Sequence, residues 1–393
     1  LFPSKETIVD KYWTEFRKYN LEQKRQSLAY SKELQNVSDE LGENLIENFI
    51  GYYQMPIGVV PGIKINNKNY LVPLALEESS VVAALSRIAK LSHNEINIKS
   101  NCGERILLGH CYFEAKSTNM VEVIERKSNE YLQRLNIAFP NLRFRNGDFK
   151  YIKHSLLFIQ NEFVIKTELA INPAEAMGAN LITQACEKLS EWISSDFKLK
   201  TIMSILSNKS PKSIVYASLE YPDIDNEVGK KIEQASLIAQ NDPYRAATHN
   251  KGIMNAIDPL MIVTGNDWRA NAACVYSGLT PNRISLSQWQ MTQEGLVGRI
   301  ELSLQLGTVG GVTKIHPQTQ FAQKLMQIRS SNELCQIAAA IGIAQNFAAL
   351  EALVTQGVMR GHMKLHKKNR DLLRELSLHN RSHTHPTSST NTN

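Results

Sequence analysis

One stretch constrains the fold more than any other. Between about residues 105 and 222 the apolar pattern switches repeatedly between the period of a strand and the period of a helix. Residues 105–113 read as a strand. Residues 118–135 carry Val121, Ile124, Ser128, Tyr131, Leu132 and Leu135 on one helical face. Two β-rich runs, 149–159 and 162–171, meet at a tight polar turn, Gln160 and Asn161. A second helix, 176–194, holds Ile182, Ala185, Cys186, Leu189, Trp192 and Ile193 in phase, and 211–221 reads as a closing strand. The order β-α-β-β-α-β is the split βαβ, ferredoxin-like pattern. No doubly wound unit is repeated.

The flanks have a different texture. Residues 1–50 have the polar look of surface helices packed by one face. From Met55, proline and glycine punctuate short apolar runs, and Asn66-Asn-Lys-Asn69 before Tyr70-Leu-Val-Pro-Leu-Ala-Leu predicts a hairpin ending near Glu77 and Glu78. Val81, Val82, Leu85, Ile88, Ala89 and Leu91 then recur at helical spacing, so two carboxylates stand at a strand-to-helix junction with Ser79 or Ser80 placed to cap. Beyond 222 come a helix at 226–240, a loop-rich stretch at 242–267, a helix after Trp268, β-like residues 296–306, a Gly-rich turn at 307–311 and apolar helices to Val354.

These readings assemble into an α+β protein. A large mixed helical and sheet domain (1–105 and 223–356) is interrupted by the small split βαβ domain (106–222). A short C-terminal helical flap (357–378) and a disordered Ser/Thr/Asn/His-rich tail (379–393) follow.

Composition narrows the class. A chain of 393 residues with 42% hydrophobic and 21% charged residues buries a sizeable core and is neither fibrous nor disordered. The charge of +6 is a small excess whose cations are scattered among acids, unlike the clustered charge of a nucleic-acid binder. Five cysteines without C-x-x-C suggest neither a disulfide framework nor a zinc ribbon, and point to a reducing compartment. The most apolar run, 337–354, contains Gln345, Asn346 and Glu351 and reads as a buried helix rather than a membrane span. Residues 1–18 lack the basic start and apolar core of a signal peptide, so a cytoplasmic protein is expected.

Four segments hold candidate chemistry. In the densest, Asp242-Pro-Tyr-Arg-Ala-Ala-Thr-His-Asn-Lys-Gly-Ile-Met-Asn255 with Thr264-Gly-Asn-Asp-Trp-Arg269, Lys251 and Asp267 flank an apolar segment (257–263) and could converge from the two ends of one buried strand. A lysine there stabilises an oxyanion, and a carboxylate crowded by others donates a proton. Pro173-Ala-Glu-Ala-Met-Gly-Ala-Asn180 opens a helix whose free amides suit a phosphate, or is merely a small-residue packing surface. Leu306-Gly-Thr-Val-Gly-Gly311 is a turn or a place where ligand meets backbone. Gly361-His-Met-Lys-Leu-His366 offers His362 as an acid. Neither a Rossmann fingerprint nor a P-loop is present. His383 and His385 in the tail are a poor metal site, and no metal is expected.

Taken in order, Glu47-Asn-Phe-Ile-Gly51, Met55-Pro-Ile-Gly58, Leu76-Glu-Glu-Ser-Ser-Val-Val-Ala-Ala84, Glu175-Ala-Met-Gly-Ala-Asn180, the 242–269 block, Gly307-Thr-Val-Gly-Gly311 and Gly361-His-Met363 resemble the 3-hydroxy-3-methylglutaryl-coenzyme A (HMG-CoA) reductases, the bacterial second class in particular. The resemblance runs from about 40 to about 370. It implies a four-electron reduction of a thioester to mevalonate and coenzyme A with two nicotinamide cofactors. It places the catalytic set on Glu78, Lys251, Asp267 and His362: Lys251 for the oxyanion, Asp267 linking it to the acid Glu78, and His362 protonating the departing thiolate. Glu77 is the structural alternate to Glu78. Arg245 would pair with the substrate carboxylate, Ser80 and Asn255 would line its pocket, and Asn208 would lie near substrate and nicotinamide. The cofactor would meet Glu175, Met177, Gly178 and Asn180.

Departures accompany the resemblance. Glu175 stands where the family usually has Asp. Lys150 stands where NADH-preferring members carry a ribose-binding acid, which favours NADPH over NADH. The region after His362 is short for a closing flap. The resemblance also implies a homodimer or higher homo-oligomer with the active site at the subunit interface, and no nucleic-acid or membrane partner. Alternatives are the oxidative direction from mevalonate, another NAD(P)-dependent acyl-CoA reductase, and an inactive binding homologue.

Overall fold

A computed structural model describes residues 16–31, 34, 37–355 and 357. His362, the rest of the flap and the tail lie outside the described residues, as do residues 1–15. Two short N-terminal helices, Leu21–Ser27 and Asp39–Leu45, lead to the hairpin β1 (Ile57–Ile65) and β2 (Lys68–Ala75). Asn66 and Asn67 make its turn with φ of 49° and 62°, the left-handed pair that suits a two-residue hairpin loop. Helix α1 (Ser79–Leu91) follows and buries Val81, Leu85, Ile88 and Ala89. Neither serine caps it; the cap is Glu78, whose carboxylate accepts from the Ser80 amide at 3.2 Å.

After β3 (Asn97–Cys102), β4 (Leu107–Glu114) enters a second sheet with β5 (Asp148–Ile159), β6 (Glu162–Asn172) and β7 (Thr201–Ser207), ordered β5-β6-β4-β7 and antiparallel throughout. Helix α2 (Ser128–Ala138), with short turns of helix before and after it, and the long α3 (Ala179–Phe197) pack on one face. Phe113, Tyr131, Leu135, Ile165, Leu169, Ile182, Leu189 and Ile193 make this core.

The third sheet is ordered β3-β8-β10-β9, with β8 (Ile214–Tyr221), β9 (Ser287–Thr292) and β10 (Gly295–Ser303). It shares the larger core with the hairpin, α1, α4 (Asn226–Asn241), α5 (Pro243–Val263) and α8, with α6 (Trp268–Ser277) and α7 (Pro317–Met326) at its margin. Helix α8 (Ser331–Val354) is long and apolar enough to cross a membrane, yet most of it is buried inside this core. Its polar Asn346 accepts from Trp289 Nε1 at 2.7 Å and from the Ser287 hydroxyl at 2.8 Å.

Two expectations are corrected. The strand at 211–221 does not close the split βαβ sheet: β8 pairs with β3 and β10, while Thr201–Ser207 occupies the closing position beside β4. β8 buries Val215, Ala217 and Leu219 in the larger core. β7 is an edge strand with Ile202, Met203 and Ile205 exposed, and so lacks the buried alternation that marks a strand in sequence. The loop-rich 242–267 is mostly the 21-residue helix α5, so 257–263 is helix and not strand. Asp242 caps it through the Tyr244 amide at 3.0 Å and Pro243 occupies its first turn.

Candidate active site

Glu78 stands exposed at the end of the hairpin, and the α5 helix packs against β2 of that hairpin. Lys251 and Asn255, four residues apart, share the outward face of α5. The opposite face is fastened. His249 is buried with Nε2 2.6 Å from the Ser287 hydroxyl. Burial, and then the charge of Arg245, lower its pKa to about 4, so the ring is neutral. The Asn250 amide donates to Ile284 O at 2.8 Å and accepts from the Leu286 amide at 2.9 Å. Arg245, one turn before His249, is half-buried.

Asp267 is the N-cap of α6. Its Oδ1 accepts from the amides of Arg269 and Ala270, each at 3.0 Å, and the Arg269 guanidinium approaches to 3.3 Å. Partial burial works to raise its pKa but is outweighed by these amides and by Arg269, so the carboxyl is held below its ordinary value. No ion pair joins Lys251 to Asp267 among the described residues. The network expected to link Lys251, Asp267 and Glu78 is therefore not closed within them.

The glycine segment and the 173–180 motif meet directly. A Cβ on Gly307 would lie 2.3 Å from the Met177 amide nitrogen, so only glycine permits this approach. The Thr308 amide donates to Glu175 O at 2.9 Å, and Ala176 and Val309 form a parallel bridge. On the other side Arg105, 4% exposed, donates Nη1 to Ala174 O at 2.8 Å and Nη2 to Ala176 O at 2.7 Å, and also reaches the Ser331 hydroxyl. The motif is thus gripped from both sides. Gly178, at φ 91°, precedes α3 without a side-chain cap, leaving the amides of its first turn available to an anion. Asn180 is exposed at that turn and Met177 half-buried beside it.

The Glu175 carboxylate accepts from the Ser331 amide at 2.5 Å and the Thr308 hydroxyl at 3.2 Å. The extra length over Asp here spans to the start of α8. Lys150 is not a free cation: its ammonium lies 2.5 Å from Glu104 and 3.0 Å from Asp148, and these carboxylates, Glu104 foremost, raise its pKa. Asn208 sits in the bend after β7, two residues from Ser210, which receives the side chain of Gln305. Ser80 is half-buried in the first turn of α1.

Motifs far apart in sequence thus meet at one junction, which Asn266 joins to the Asp267 cap through Gly307. The hydroxymethylglutaryl-coenzyme A reductase family model matches residues 14–367. The chain belongs to that family. It is 35% identical over 343 residues to the 3-hydroxy-3-methylglutaryl-coenzyme A reductase of Archaeoglobus fulgidus, covering 84% of this chain and 77% of that protein. It is 33% identical over 368 residues to a probable one of Borreliella burgdorferi, covering 89% and 84%. The class II reductase of Streptococcus pneumoniae, solved bound to NADPH in open conformations, superposes with a TM-score of 0.81 at 33% identity, covering 87% of this chain and all of that one.

Within this reductase-family fold the sequence left Arg105, Asn266 and Asn271 unremarked as site builders. Asn266 lies inside the polar 264–269 segment, but nothing in its spacing marks its partner forty-one residues away. Arg105 stands alone before a strand and carries no local signal.

Proposed function

We propose that the chain reduces HMG-CoA to mevalonate and coenzyme A with two equivalents of NAD(P)H, acting in the cytoplasm as a homo-oligomer. The observation that carries the reading is the junction of Glu175–Asn180 with Gly307–Gly311, gripped by Arg105 and tied through Gly307 to Asn266, the neighbour of Asp267. We assign dinucleotide binding to the small ferredoxin-like unit, from 106 to the end of β7 near 207. Substrate binding falls to the larger unit, and His362 to a short C-terminal flap. The open amides after Gly178 suit the cofactor's phosphates, and Met177 and Asn180 the adjoining surface.

When bound, NADPH supplies hydride to the substrate carbonyl. The Lys251 ammonium stands ready for the oxyanion that hydride addition creates, a charge absent from the ground state and hence selectively stabilised. Arg245 offers a planar fork to the substrate's free carboxylate, with Ser80, Asn255 and Asn208 as polar lining. His362 protonates the coenzyme A thiolate as the hemithioacetal collapses, and Glu78 protonates the aldehyde oxygen in the second reduction. Asp267, kept ionised, orients Lys251 once substrate draws the two together. Lys150 favours NADPH only after a phosphate displaces Glu104 and Asp148.

The test is cofactor oxidation with HMG-CoA. Wild type is expected to consume two NADPH per mevalonate, and Lys251→Ala to lose at least a hundredfold in kcat. An inactive wild type, or an equally active variant, overturns the reading.

A further inference from the structure

We propose that Asn266 is a positioning residue that couples the Asp267 carboxylate to the cofactor motif, through one backbone segment, 305–307. The proposal rests on the functional reading above and deepens it.

The clamp is reciprocal. The Gly307 amide donates to Asn266 Oδ1 at 2.7 Å, and Asn266 Nδ2 donates to Gly307 O at 3.1 Å and to the Thr264 hydroxyl at 3.0 Å. One turn on, the Gln305 amide donates to Asn271 Oδ1 at 2.9 Å, and Asn271 Nδ2 donates to Gln305 O at 3.3 Å and to Asp267 O at 3.0 Å. Two side-chain amides thus stand in for a neighbouring strand and bracket the Asp267 cap between them. Both are buried, at 7% and 0% exposure.

Packing alone cannot do this. An apolar side chain at either position would fill the space but leave the buried amides and carbonyls of Gly307 and Gln305 unpaired. What reciprocal amide pairing adds is register: only one rung satisfies every donor and acceptor at once. The segment so registered touches the cofactor motif with its other side. Gly307 lies against the Met177 amide, and Thr308 donates its amide to Glu175 O. A shift of the motif on taking up cofactor therefore passes through Gly307 to Asn266 and moves the Asp267 carboxylate.

The test compares matched substitutions. Asn266→Asp keeps the shape but replaces both donated hydrogen bonds with a carboxylate oxygen facing Gly307 O. The control is Asn66→Asp, at another reciprocal clamp: Asn66 Nδ2 donates to Ser100 O at 2.7 Å and Oδ1 accepts from the Ser100 amide at 2.9 Å, in the β1–β2 turn. Three quantities are measured: NADPH Kd from cofactor fluorescence without substrate, kcat and KM for HMG-CoA, and Tm. Asn266→Asp is expected to lower kcat at least tenfold, raise NADPH Kd about fivefold and leave KM for HMG-CoA within twofold. Asn66→Asp should lower Tm and leave kcat and Kd within twofold. Should Asn266→Asp not fold, Gly307→Ala keeps the clamp but presses the segment on Met177, and should raise NADPH Kd tenfold. Either site variant with wild-type Kd and kcat overturns the proposal, as does activity lost by both asparagine variants in proportion to Tm. If wild type binds NADPH but never reduces HMG-CoA, the functional reading fails first and this proposal with it.

Discussion

At the scale of single residues, neighbours change what a charge can do. Lys150 carried the expectation of a cation for a 2′-phosphate, and its identity was plain in the sequence. Its partners were not, because Glu104 comes from the connector before β4, forty-six positions away. Against two carboxylates the site is net acidic, so removing them should help an anion. Glu104→Gln with Asp148→Asn is expected to raise the NADPH to NADH ratio of kcat/KM about tenfold, and Lys150→Ala to lower it; steady-state kinetics with both cofactors decides, and an unchanged ratio removes Lys150 from cofactor choice. Asp258 shows the opposite balance. Burial raises its pKa to about 6, and its Oδ1 has no hydrogen-bond partner among the described residues. Because the folded value lies above an unfolded value of about 3.9, the folded state holds this proton more tightly between those pH values, and stability falls as pH rises through them. Asp258→Asn should therefore melt several degrees higher than wild type at pH 8 and nearly coincide with it at pH 4. Equal Tm at pH 8 would show the carboxylate to be well solvated.

Elements were legible where one period ran undisturbed. The hairpin, α1, α3 and the β5–β6 pair stand close to where alternation and 3.6-residue spacing put them. Helix α5 reads as loop in the sequence because polarity masks its period: His249 and Asn250 are buried by hydrogen bonding rather than by apolarity, and Pro259 interrupts the signal. The same two residues explain how a helix can carry an exposed Lys251 without wandering. Asn250→Ala would leave Ile284 O and the Leu286 amide without partners, at a cost of about 2–4 kcal/mol. Urea unfolding should show that loss together with a fall in kcat, since the helix presenting Lys251 loses a fastening. A loss below about 1 kcal/mol would mean that His249 and the α8 contact hold α5 by themselves.

Among the described residues two large hydrophobic cores, one around α8 and one against the β5-β6-β4-β7 sheet, stand beside two smaller clusters. The chain passes between them at the β3–β4 and β7–β8 connections. The sequence pattern revealed both cores but put the second crossing at residue 222, because an exposed edge strand and a buried one look different to periodicity while the sheet needs only backbone pairing. What joins the cores was invisible, since it consists of single side chains reaching to distant carbonyls. Arg105 lies on the first crossing and ties three things: the turn after β6 through Ala174 O and Ala176 O, the start of α8 through the Ser331 hydroxyl, and its own connector. Its burial leaves no water to replace it. Arg105→Ala should strip donors from two carbonyls, at about 1–3 kcal/mol each, and loosen the Glu175–Asn180 turn without dissolving either core. Hydrogen exchange is expected to accelerate at 174–180 while β8 and β10 stay protected, and NADPH Kd to rise at least fivefold. Arg105→Lys should not restore either, because a single ammonium cannot reproduce the two-pronged geometry of a guanidinium. Unchanged protection at 174–180 in Arg105→Ala would mean that Gly307 and Thr308 alone secure the turn, and that the two cores communicate by packing rather than through this side chain.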